Sequence, residues 1–415
     1  MTTSSNAAAR VVTIRQKDDS VSIRIPGQED VEIELRSQSD VRVQGAAFME
    51  KVNRYREYRP DPEPARAMRI VRELSVGAYL AISRAAAGTF GELAEALLRI
   101  CRWVNDPPRR CDGSPDVIVE IVLSGAGEYL PWEWIGPQPF RPDRSLAEGR
   151  NPTRADVVAA VNELVGMADV RRLYSLDHGT MPTPTIRTFH DELQIRVFAH
   201  QAMQGVRTDV RYLHSTTGTR IVGPLPADGQ PFDVAECAAH LRDPRRPQDP
   251  LDPPLADADQ LVLFACHHAL GSPGVAAGHA ALSFSDSAGF QADTSDLADQ
   301  LNLAVAANLA HQPELPVVFL NLCDGEMRTG HLASLSQMFL QNTNPAVIST
   351  TSIVHEELAS LIVPAFYERF RRSNSVAASL WHAKRYVVEH YGNPLALLYV
   401  LSGDGSAHCK KVTTQ

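Results

Sequence analysis

Apolar positions along this chain follow two periods, and the place where each holds predicts its elements. Residues 11–15, 21–25 and 31–35 alternate like half-buried strands, with turn residues at 17–20 and 26–30 between them. That pattern predicts a small antiparallel meander. Residues 63–86 and 89–105 instead repeat apolar side chains at three- and four-residue steps, which predicts two helices. The stretch 105–115 is dense in turn and breaker residues and marks a boundary.

Beyond it the pattern changes. Residues 117–123 read as a strand, 130–135 as a bulky apolar segment, 155–168 as a helix, 193–199 and 209–213 as strands, and 232–241 as a helix. Residues 243–254 hold five prolines and predict an exposed, mobile connection. From 260 onward strands alternate with helices: strands at 261–266, 316–322, 346–350 and 395–401, helices at 294–310, 331–341, 356–371 and 375–390. Such alternation predicts an α/β fold with a mainly parallel sheet covered by helices on both faces, preceded by a small N-terminal α+β module. The expected organisation is a module at 1–110, an upstream half at 115–250 and a chemistry-bearing half at 255–405.

Composition narrows the function. Hydrophobic residues make up 44% and charged residues 21% of 415, as in an ordinary globular protein. A net charge of −9 argues against nucleic acid or an anionic membrane as principal partner. The first ten residues lack a basic stretch followed by an apolar core, and no run of 18 apolar residues occurs. Neither a signal peptide nor a membrane span is expected. Cysteines at 101, 111, 237, 266, 323 and 409 form no paired framework, which predicts reduced thiols in a cytoplasmic protein.

Two strand ends carry candidate chemistry. The strand at 261–266 runs into His267 and His268, and the strand at 316–322 runs into Cys323, Asp324 and Gly325. Side chains just past the carboxyl ends of adjacent parallel strands converge on one crevice. An imidazole there can take the proton of a thiol, stabilise the thiolate and later protonate a leaving amine. The oxyanion of such a reaction needs backbone N–H donors beside the nucleophile or the base. The turn at Asp324 and Gly325 can leave the Cys323 N–H free for that purpose. The competing reading is a buried cysteine packed as a small apolar group and a histidine satisfied at a strand end. A zinc reading draws on Cys266, His267, His268, His279 and Cys323, although no CxxC or HxxxH pair is present among them. Asp324, Glu326, Asp286 and Asp293 are candidates for lining the pocket of the residue before a scissile bond, or else ordinary turn and surface charges.

Six stretches together resemble the CHAT proteases, a caspase-like group related to separase, gingipains and metacaspases. They are LPWEWI at 130–135, ADQLVLFACH at 258–267, VVFLNLC at 317–323, PAVISTTSIV at 345–354, AFYERF at 365–370 and AASLWHAK at 377–384. Position 323 lies 56 residues past 267, and a caspase-like His also precedes its Cys by about 50. The resemblance covers about residues 115–405. It implies a caspase-like fold with an inactive half before a catalytic half, His267 as general base and acid, Cys323 as nucleophile, and no cofactor or metal. It also implies a protein or peptide substrate, control by a sensor or activating partner, and a role in bacterial immunity or programmed cell death. The sequence departs from the family where its early motif His is Leu263 and where the Gly after the base is His268. The second departure leaves His268 as an alternative base. It also leaves open an inactive adaptor that binds a peptide without cutting it.

Overall fold

A computed structural model of the chain describes residues 10–55, 58–88, 90–105, 117–124, 130–137, 149–175, 186–189, 192–226, 232–249, 251–270, 280–285, 290–307, 315–322 and 335–411. The chain is a mixed α/β protein of two compact units. The first comprises residues 1–54, 61–179 and 384–397, the second 55–60, 180–383 and 398–415.

In the first unit the expected meander forms as β1 (Arg10–Gln16), β2 (Ser20–Arg24) and β3 (Val31–Glu34), paired antiparallel. It does not stand alone. β1 pairs in parallel with β4 (Val117–Ser124), and β4 with β5 (Asp169–Ser175), giving the order β3-β2-β1-β4-β5. The helix α1 (Gln38–Asn53) escaped the sequence reading, although Val41, Gly45, Phe48 and Val52 recur on one buried side. Its start is fixed by Ser37, whose hydroxyl accepts the Asp40 N–H at 3.1 Å. α2 (Pro64–Ala85) and α3 (Phe90–Asn105) match the two predicted helices, and α2 opens on a proline at its first turn, where no N–H is needed. α4 (Arg154–Asn162) is shorter than the predicted 155–168. The chain instead makes a 3-10 turn at Val165–Met167, where a Cβ on Gly166 would lie 2.9 Å from the Glu133 carbonyl oxygen. Trp132 is fully buried and donates its indole N–H to Gln16 Oε1 at 3.1 Å, so it is a core aromatic with a satisfied polar handle.

The second unit holds the α/β alternation. Its short β6 (Ile186–Phe189) pairs with the terminal strand described last. β7 (Leu193–Ala199), α5 (Gln204–Ser215), β8 (Thr219–Leu225), α6 (Val234–Arg242) and β9 (Leu261–Ala265) follow. Then come the short strands β10 (His267–Leu270), β11 (Ala280–Ser283) and β12 (Gln291–Asp293), with α7 (Thr294–Ala307), β13 (Val317–Leu320), α8 (Leu335–Gln341) and β14 (Ala346–Thr350). α9 (Glu356–Phe370), the first half of α10 (Val376–Tyr391), whose residues from 384 on are counted in the first unit, β15 (Tyr399–Gly403) and β16 (His408–Lys411) complete it, with β16 parallel to β6. The main strands stand in the order β8-β7-β9-β13-β14-β15, parallel throughout except for the antiparallel β15.

β7, β9, β13 and β14 are buried at every position, as strands covered on both faces must be. On one face Phe198, Val262, Phe264, Val318, Leu320 and Val347 join Leu241, Leu297 and Phe339 of α6, α7 and α8 in a single apolar cluster. On the other, the ring of Phe319 meets Phe366 of α9 with centroids 5.2 Å apart. Full burial of one such ring stabilises the fold by about 1.5–3 kcal/mol.

Three expectations need correction. Residues 209–213 are not a strand but the middle of α5, where Val210 and Leu213 are buried at helical spacing beside Asp209. Residues 394–398 form a 3-10 turn, so the strand expected at 395–401 begins at Tyr399. The proline-rich connection is exposed at Leu251 but not throughout. Pro244 and Pro247 are buried, the Leu255 N–H donates to the Arg245 carbonyl at 2.8 Å, and the Asp259 N–H to that of Pro244 at 2.9 Å. No helix among the described residues is long and apolar enough to cross a membrane.

Candidate active site

Three neighbouring parallel strands, β7, β9 and β13, end on one edge. Phe198, Phe264 and Leu320 stand in register there. Beyond them the ladder continues by one bond on each side of β9. The His200 N–H donates to the Ala265 carbonyl at 2.9 Å, and the Asn321 N–H to that of Phe264 at 2.8 Å. The strand-end geometry that the alternating pattern predicts is therefore present.

His267 begins β10, which leaves the main sheet and pairs antiparallel with β11, His267 opposite Ser283. Its side chain is exposed. The ring lies 4.7 Å from that of His200, with the planes at 65°. His200 is buried and its Nδ1 accepts the Ala202 N–H at 3.3 Å. An imidazole whose Nδ1 is an acceptor and whose ring is neutral carries its proton on Nε2. The Gln201 N–H donates to the Phe284 carbonyl at 2.9 Å, one residue past β11.

At the end of β13, Asn321 and Leu322 are both buried. Asn321 Oδ1 accepts the Tyr399 hydroxyl at 2.7 Å, and the Thr350 hydroxyl donates to the Leu322 carbonyl at 2.5 Å. Leu322 belongs to the same apolar cluster as Leu320, so this strand end is clamped from β14 and β15 as well as from β9.

Of the residues singled out in the sequence, His267 is placed at this edge. The backbone of His268 lies in β10 opposite Leu282. The side chain of His268, and Cys323, Asp324, Gly325, Glu326, Asp286 and His279, lie outside the described residues. Asp293 caps the start of α7, accepting the N–H groups of Ser295 at 2.8 Å and Asp296 at 3.2 Å. That is the turn role allowed for it. Cys266 is fully buried in the apolar cluster. Among the described residues no group of three or more His, Cys, Asp or Glu side chains is placed to hold a metal ion. The sequence reading missed His200, Tyr399 and Thr350. For His200 a signal existed, because it directly follows a strand just as His267 follows its own.

Two buried polar clusters flank these elements. At the start of β9, Arg196 Nε donates to Asp259 Oδ2 at 2.5 Å, and a second guanidinium nitrogen to the Arg246 carbonyl at 2.7 Å. A third lies 2.8 Å from His240 Nδ1. Burial, then the charges of Arg196 and Arg246, push His240 down to about 3, so its Nδ1 is an acceptor. Burial raises Asp259 to about 6 although Arg196 and Gln194 pull it the other way. Between α5 and α9, Asp209 is buried and its Oδ1 has no hydrogen-bond partner. Burial first, and the nearby Glu356 carboxylate second, push it up to about 8.

No protein-family model and no curated protein matches the chain. Among solved structures it is similar to the Saccharomyces cerevisiae separase in two crystal structures of the separase–securin complex. At 2.6 Å resolution the TM-score is 0.43 at 8% identity, and at 3.0 Å it is 0.42 at 10%. In each the match covers 97% of this chain and 30% of the separase chain. A third similar structure, described as a protease, gives 0.41 at 10% identity over 77% of this chain and 69% of its own. All three TM-scores lie below 0.5, and what the site can do is a matter of this chain's own residues.

Proposed function

We propose that the chain is a caspase-like cysteine endopeptidase of CHAT type, with His267 as general base and acid and Cys323 as nucleophile. One observation carries the reading. β9 and β13 are adjacent and parallel with Leu261 opposite Val317, an offset of 56 residues, and the same offset separates His267 from Cys323. The described chain reaches Leu322 at this edge, one residue before the cysteine.

The chemistry follows from the pair. His267 takes the Cys323 proton, and the thiolate sulfur bonds to the carbonyl carbon of a peptide. The C–N bond then breaks, the imidazolium gives its proton to the leaving amine, and a thioester remains. Water, deprotonated by the same imidazole, releases the acid and restores the thiol. Backbone N–H groups of Cys323 and His268, with the turn at Asp324 and Gly325, are the oxyanion donors in this reading. Asp286 and Glu326 are candidates for the pocket that receives the residue before the cut. The reaction needs no cofactor. We further propose a cytoplasmic enzyme held at low activity until a sensor or partner protein engages residues 1–110, as in bacterial immunity or cell death.

A peptide warhead aimed at thiols tests the assignment. Selective modification at Cys323, lost in Cys323→Ala and strongly slowed in His267→Ala, is the expected result. Loss in His268→Ala alone moves the base to His268. Peptide binding without modification leaves a CHAT-fold adaptor instead.

A further inference from the structure

We propose that His200 is a positioning residue for His267: its buried ring backs the exposed one and holds it at the strand-end crevice. This rests on the reading of His267 as the base. A solvent-exposed imidazole on a short edge strand has several rotamers open to it, and a base must hold one. His267 is such a residue, the first of a four-residue strand.

His200 is built to restrict it. The two rings meet at 4.7 Å and 65°, an edge-to-face contact within the range of favourable aromatic packing. His200 is itself fixed by its backbone. Its N–H binds the carbonyl of Ala265, two residues before His267, and the next N–H, of Gln201, binds Phe284. Phe284 directly follows Ser283, the strand partner of His267. The backbone that carries the backing ring is thus tied to both chain segments that frame the base. The Ala202 N–H on Nδ1 fixes the remaining freedom of the His200 ring.

The same bond separates the roles of the two histidines. With Nδ1 engaged as an acceptor and the proton on Nε2, the neutral His200 ring has no lone pair left to take a proton from a thiol. It orients and does not compete.

The test uses the full chain with histidine rings labelled at Cε1, and iodoacetamide as the probe of Cys323, read on its tryptic peptide. The His267 signal is assigned by its loss in His267→Ala. In His200→Ala that signal should shift, and alkylation of Cys323 at neutral pH should slow by about 10- to 100-fold, the scale of a misplaced group. His200→Phe, which keeps a ring in place, should restore most of the rate, and matched thermal unfolding would show that neither variant is merely unfolded. An unmoved His267 signal in His200→Ala, or an unchanged alkylation rate that still depends on His267, overturns the positioning role alone. Alkylation indifferent to His267 itself overturns the peptidase reading and this proposal with it. Slow alkylation in both His200 variants, with both folded, shows that the ring contact is not what matters and overturns the proposal.

Discussion

The Tyr399 hydroxyl donates to Asn321 Oδ1 at 2.7 Å, and both residues are buried. This bond joins β15 to the end of β13, two strands with β14 between them, at the position two residues before Cys323. Tyr399→Phe removes the donor and leaves a buried carbonyl unpaired, a cost of about 1–3 kcal/mol. Denaturant unfolding should show that loss. A Tyr399→Phe, Asn321→Leu double variant should lose less than the two single costs combined, because no orphaned acceptor remains.

Arg196 and Asp259 form a fully buried pair whose remaining donors go to His240 and Arg246. Asp259→Ala strands a guanidinium charge inside the protein and should cost about 3–5 kcal/mol. Replacing both by apolar residues, as in Arg196→Met with Asp259→Leu, should cost markedly less. Equal losses for the single and double variants would show that the pair is not acting as a unit.

Asp209 gives a pH signature. Its folded-state value of about 8 lies above the ordinary carboxyl value of about 3.9, so the folded state holds the proton more tightly. The stability this contributes is complete below the unfolded value and is lost as pH rises to about 8. Asn stands in for the protonated form at every pH. The melting temperature of Asp209→Asn should therefore match wild type in acid, exceed it by a growing margin up to about pH 8, and level off. Glu356→Gln should shrink that margin, since Glu356 is the second cause of the shift.

Much of this architecture was legible because one periodicity ruled each element. The strand Ala346–Thr350 lies where the apolar Ala346, Val347 and Ile348 and the β-branched Thr350 put it, and the helices from Glu356 and Val376 begin within a residue of their predicted starts. The failures have physical causes. Val210 and Tyr212 fit one face of a short strand, Val210 and Leu213 one face of a helix, and packing against α9 separates the two. Strand pairing is a long-range choice. Nothing local in Leu193–Ala199 announces Leu261–Ala265 as its neighbour, and so nothing announces that His200 meets His267. The Tyr399–Asn321 bond spans 78 residues of sequence and leaves no local trace.

The most direct measurement is the rate of Cys323 alkylation by iodoacetamide as a function of pH, in wild type and in His267→Ala, followed on the tryptic peptide. Proton sharing with His267 keeps the wild-type thiol reactive well below the ordinary thiol value, while the variant titrates like a free cysteine near about 8.5. Coincident profiles for the two proteins would contradict the His267–Cys323 assignment.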